Sequence, residues 1–94
     1  MIIGCCTIEL YVPGASSLKD KRSVLKGVIH RVRREFNVSI AEVDYQDVLQ
    51  STVLGVVMVS NDASHAHSQL THVVNWIERH RLDAELVDYQ IEMF

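Results

Sequence analysis

Several features common in small functional proteins are scarce in this chain, and each scarcity removes a class of function. Only two cysteines occur in 94 residues, and they are adjacent, Cys5 and Cys6. Neighbouring residues of a strand point to opposite faces, so these thiols do not readily pair, and no others remain to build a disulfide framework. They read as small packing residues in a reducing compartment. Glycine is limited to Gly4, Gly14, Gly27 and Gly55. Those positions are too scattered for a phosphate-cradling loop, and neither G-x-S-x-G nor H-E-x-x-H occurs. No apolar run approaches the roughly 20 residues that cross a membrane, and Met1-Ile2-Ile3-Gly4 lacks the basic start of a signal peptide. The expectation is a soluble cytoplasmic protein without a cofactor.

What is present is enough apolar material for one core. Hydrophobic residues make up 48% of the chain, and no linker, repeat or low-complexity tract divides it, so residues 1–94 read as a single domain. The net charge is only -3, but its distribution is uneven. Residues 1–37 carry seven of the nine Lys and Arg against three acids, whereas residues 38–94 carry two against nine. A near-neutral total argues against indiscriminate nucleic-acid binding, while the basic first part leaves room for a local polyanion contact.

Ile2 to Val12 alternates and is rich in β-branched residues, and Pro13-Gly14 ends it in a turn, which gives a first strand. Ser17-Leu18-Lys19-Asp20 has the hydroxyl and the acid three residues on that start a helix. Leu18, Leu25, Ile29, Val32 and Phe36 then recur at three- and four-residue steps, giving one buried stripe to about Glu35, with Asn37 as the stop. Val38–Tyr45 and Thr52–Ser60 read as the second and third strands around a short turn. Asn61-Asp62 caps a second helix that buries Ala66, Leu70, Val73, Val74 and Ile77 and ends near Arg81, with Leu82-Asp83 as a turn. Ala84 to Met93 closes the chain as a strand with Val87, Tyr89, Ile91 and Met93 on one face. The order β-α-β-β-α-β specifies an α+β, ferredoxin-like two-layer sandwich. Right-handed crossovers, expected from the first strand to the third and from the second to the fourth, put both helices on one face of an antiparallel sheet.

The run Leu18-Lys19-Asp20-Lys21-Arg22-Ser23-Val24-Leu25-Lys26 and the stretch Arg33-Arg34-Glu35-Phe36-Asn37-Val38-Ser39-Ile40-Ala41-Glu42-Val43 resemble the YlxP-like family of small bacterial proteins of unknown function. Asp47, Gln50, Leu54-Gly55-Val56 and Val59-Ser60-Asn61-Asp62 extend the likeness over nearly the whole chain. Leu49 stands where the family pattern leads one to expect an aromatic residue, often Trp. The resemblance implies a ferredoxin-like fold and, from genes that often lie beside translation and ribosome-maturation factors, a contact with RNA or the ribosome. It assigns no catalytic residue.

On a wheel of 100° per residue, Lys19, Arg22, Lys26 and Arg33 fall within about 60° of one another, with His30 and Arg34 next to them. Such a stripe can neutralise successive phosphates without reading bases, and these six residues are the candidate RNA site, an rRNA or ribosomal subunit being the implied partner. The bland alternative is a solvated helix face. Lys21 lies near the apolar stripe, so its stem is expected over the core edge. The third strand carries no aromatic on either face, which excludes a base-stacking sheet of the usual kind.

Helices cover only one face of the sheet, so either Leu54, Val56 and Met58 or the opposite set is left open, and the first set is taken as the candidate interface of a homodimer. Trp76 shares an outer helix face with His65, Gln69 and His72 and joins that interface as a contact residue. The alternative for Trp76 is packing against the first helix. No two of His65, His67, His72 and His80 have the i,i+4 spacing of helical zinc ligands, so no metal is expected. Glu42, Asp44 and Asp47 read as turn and solubility residues rather than catalytic carboxylates, and no enzyme signature remains.

Overall fold

The computed structural model describes residues 1–80 and 83–94. Six elements follow in the order β1 (Ile2–Tyr11), α1 (Leu18–Glu35), β2 (Ser39–Asp44), β3 (Ser51–Ser60), α2 (Ala63–His80) and β4 (Glu85–Met93). The end of the second helix near Arg81 and a turn beginning at Leu82 lie outside the described residues. The strands form one sheet in the order β2-β3-β1-β4, with every neighbouring pair antiparallel. This is the ferredoxin-like sandwich expected. The crossovers, however, join β1 to β2 through α1 and β3 to β4 through α2. β1 and β3 are adjacent and antiparallel, so each helix bridges a parallel pair by stepping over the strand between them.

Local chemistry sets the helix starts. Ser17 is the α1 cap, in extended backbone conformation, and its Oγ accepts the Asp20 N–H at 3.1 Å. Asp20 Oδ2 in turn accepts the Ser16 hydroxyl at 2.6 Å and the Ser16 N–H at 3.3 Å. These bonds, the Ser16 hydroxyl first, hold the Asp20 carboxyl below its ordinary value. At α2, Asp62 Oδ1 accepts the Ser64 N–H at 3.1 Å. Both caps satisfy amides that a first helical turn leaves without partners.

Period-two alternation decides which side of the sheet is covered. Cys6, Ile8 and Leu10 of β1 and Leu54 and Val56 of β3 point to the helices, where they meet Leu25, Val28 and Val32 of α1 and Leu70, Val73, Val74 and Ile77 of α2. Gly4 permits a close approach of α2, since a Cβ there would stand 3.0 Å from Leu70 and 3.3 Å from Ala66. Two bulges interrupt the alternation. The β2 register shifts between Glu42 and Asp44, and the β4 register shifts where Asp88 pairs with Glu9 but Leu86 pairs with Leu10. Each bulge turns out one valine, leaving Val43 51% and Val87 56% exposed. Val87 therefore does not share the face of Tyr89, Ile91 and Met93; Leu86 takes its place against the core.

Candidate nucleic-acid interface

Three residues of the basic stripe on α1 face the same trough as the free edge of β2. Lys19, Arg22, Lys26, His30, Arg33 and Arg34 are all exposed, as their helical spacing requires. Lys26, His30 and Arg33 line a groove of about 690 Å³ whose opposite wall is Ile40, Ala41 and Glu42. Gly27 contributes no side chain to narrow it, with open space beyond its Cα. Arg33 Nη2 donates to the Ile40 carbonyl at 3.0 Å, which fixes one end of the stripe against the strand. Among the described residues, Lys19, Arg22, Lys26 and Arg34 form no ion pair. Lys19 and Arg22, toward the start of the helix, and Arg34, toward its end, lie outside the groove.

Lys21 is the residue that the helical wheel undervalues. It lies on the edge of the buried stripe, and its side chain is 1% exposed, the ammonium included in the core. Nζ donates to the Tyr45 carbonyl and to the Val48 carbonyl at 2.7 Å, has a longer contact of 3.5 Å with the Gln46 carbonyl, and meets Glu42 Oε2 at 3.0 Å. The same carboxylate oxygen accepts the Thr52 hydroxyl at 2.6 Å. Glu42 is thus the counter-ion of a buried lysine, while Asp44 serves the turn by accepting the Tyr45 N–H at 2.8 Å. Gln50 completes the arrangement. Its Nε2 donates to Pro13 O and Ala15 O, and its carbonyl accepts the Val12 N–H at 2.9 Å.

These bonds draw the carbonyls of Tyr45, Gln46 and Val48 inward, while Tyr45 stays 40% exposed in a left-handed conformation with φ 61°. Local sequence gives little sign of this. The signal available is a lysine at a core angle of the helix, and its counter-ion and carbonyl partners are 21 to 27 residues away in the chain.

The candidate interface on the sheet requires correction. Leu54 and Val56 are fully buried and Met58 packs against the core, because this parity of β3 faces the helices. The open set is Val53, Val57 and Val59, with Val59 63% exposed, and Phe94 bonds to Ile3 at the same end of the sheet. Glu9, Asp88 and Glu92 lie on that face in register with Val53 and Cys5 neighbours, and none of its strand residues is basic. Trp76 is likewise not an outward contact residue. Its ring is half-buried, edge-on to Phe36 at 6.3 Å and stacked on His80 at 4.2 Å, so it ties the end of α1 to α2. Among the described residues no three His, Cys, Asp or Glu side chains converge as metal ligands, and no helix is long and apolar enough to cross a membrane.

Comparison with known proteins decides the family. The model of DUF503, a family described as protein of unknown function, matches residues 3–91. The chain belongs to the DUF503 family. It is 40% identical over 77 residues to the uncharacterized protein YlxP of Bacillus subtilis (strain 168), covering 82% of this chain and 84% of that one. This agrees with the YlxP-like resemblance of the sequence. Among solved structures, a de novo designed protein with ferredoxin fold superposes with a TM-score of 0.57 at 17% identity, over 100% of this chain and 84% of that one. SnoaB, a cofactor-independent oxygenase from Streptomyces nogalater, superposes with a TM-score of 0.50 at 16% identity, over 98% and 90%. At those identities the likeness concerns the fold, and a shared fold carries no shared activity. The DUF503 family has no described function.

Proposed function

We propose that this protein is a non-catalytic, cytoplasmic accessory of translation or ribosome assembly that contacts structured RNA through the basic face of α1. The observation that carries the reading is the line of exposed Lys19, Arg22, Lys26 and Arg34, without an acidic partner among the described residues, beside Arg33 and His30 on one helix face. Cations ordered in this way release counterions from a phosphate backbone, so the affinity falls as salt rises. Co-sedimentation with purified ribosomal subunits across a salt series tests the reading. Association at low salt that declines with ionic strength, and is lost in an Arg22→Glu/Lys26→Glu double variant, is expected. Absence from every ribosomal fraction at low salt overturns it.

A second reading, a homodimer closed through the open sheet face, is favoured by the exposure of Val57, Val59 and Phe94. Its salt dependence has the opposite sign. A two-fold pairing of that face brings Glu9, Asp88 and Glu92 of both copies together without a cation, so screening strengthens the association. Light scattering that gives the monomer mass at every salt concentration removes this reading.

A further inference from the structure

Resting on the RNA reading above, we infer that the trough between α1 and β2 holds a single strand of RNA, with an unpaired base at its head stacked on Tyr45. Three observations narrow the ligand from any polyanion to this class. The first is shape. Lys26, His30 and Arg33 line a concavity of about 690 Å³, and Arg22 precedes it on the same helix face. A lone strand can enter such a trough, whereas the backbone of a duplex follows a broad cylinder and touches only its rim.

The second is the edge of β2. This strand pairs on one side only, with β3. The Ile40 carbonyl points away from β3, since it accepts from Arg33. In an antiparallel ladder both backbone groups of a residue point the same way and alternate along the strand, so the N–H groups of Ile40 and Glu42 face the trough. Phosphate oxygens then meet amide donors on one wall and Lys26 and Arg33 on the other, the combination used to position nucleic-acid backbones. Glu42 does not oppose this, because its carboxylate is already engaged by Lys21 and Thr52.

The third is Tyr45. Its carbonyl accepts from Lys21, the residue next to Arg22, so the backbone that carries the exposed tyrosine is anchored to the first turns of α1. The neighbouring acids Asp44 and Asp47 repel phosphate there, which suits a base at this point and a backbone that ends at Arg22. An aromatic side chain beside a basic track is how proteins hold unpaired bases.

Fluorescence anisotropy with the purified protein, a labelled uridine dodecamer and an RNA duplex of the same length tests this in a salt series. With Arg22, Lys26 and Arg33 each meeting one phosphate, the logarithm of the single-strand affinity should fall with the logarithm of salt with a slope of about -2, and Lys26→Gln should reduce that slope by about 0.7. Tyr45→Ala should weaken binding about tenfold at unchanged slope, while Tyr45→Phe retains it. The thermal midpoint of each variant, measured alongside, separates lost binding from lost folding. Duplex binding equal to or tighter than single-strand binding, or indifference to Tyr45→Ala in a folded variant, overturns the inference and leaves the broader RNA reading standing. Binding of neither RNA, together with absence from ribosomal subunits, overturns both.

Discussion

At the scale of single residues, the buried lysine is the most consequential feature. An ammonium removed from water is tolerated only with a counter-ion and satisfied hydrogen bonds, and Lys21 has Glu42 and the backbone carbonyls of Tyr45 and Val48. Lys21→Met should therefore cost about 3 kcal/mol, a lower-range figure because Glu42 is partly exposed, measured by urea denaturation. Limited proteolysis should then cut between residues 45 and 50, since the carbonyls lose their common donor. A variant of unchanged stability would show that the bonds of Lys21 to Glu42 and to these carbonyls are dispensable. The adjacent thiols differ just as sharply. Burial, assisted by the charge of Cys5, pushes the Cys6 thiol from 9.0 up to about 11. A raised thiol favours the neutral form in the folded state, so its contribution to stability is complete below about pH 9 and is lost as pH rises toward 11. Native protein should react with a thiol reagent at Cys5, which is half-buried on the open face, and at Cys6 only after unfolding. Rapid labelling of both thiols in the native state would contradict this assignment.

At the scale of elements, the caps make a measurable contribution. Ser17→Ala removes the acceptor for the Asp20 N–H and should destabilise the protein by about 1 kcal/mol. The Asp20 carboxyl lies below its ordinary 3.8, so whatever it adds is present above that pH and fades as the solution is acidified through the lowered value. A Ser16→Ala variant, which removes the strongest of its bonds, should show a flatter acid limb in denaturation. The same scale explains what could be read from residues alone. The two helices and four strands were legible because their periodicities are regular and their caps local. The faces of β3 were not, since Leu54, Val56 and Met58 are as apolar as Val53, Val57 and Val59, and only the position of the helices separates the two sets. The faces of β4 were misjudged for another reason: a bulge shifts parity without leaving a mark in the residues, so Val87 and Leu86 exchanged roles. The basic stripe was legible as a set of residues, but its concavity depends on the neighbouring β2 edge, which no local pattern encodes.

At the scale of the whole molecule, basic and acidic charge are segregated. The basic face belongs to α1 and the acids Glu9, Asp88 and Glu92 to the open side of the sheet, so one ligand class cannot suit both surfaces. Charge reversal at Lys26 should abolish polyanion binding and leave the mass measured by light scattering unchanged. Val59→Asp should do the converse if the sheet face pairs two copies. A Lys26 variant that alters mass would mean that the two surfaces are coupled.

The two bulges also bear on what the protein avoids. β2 and β4 are the margins of the sheet, and an unbroken margin is a template on which further copies can add strand by strand. Each margin here is kinked once, at Val43 and at Val87, so its row of free amides and carbonyls is out of step with a straight incoming strand. The extra valine at each kink thereby acts as a terminator of sheet growth. Removing Val87 would restore an even ladder from Leu86 to Asp88 and, with it, the tendency of a four-stranded sheet to continue into fibrils.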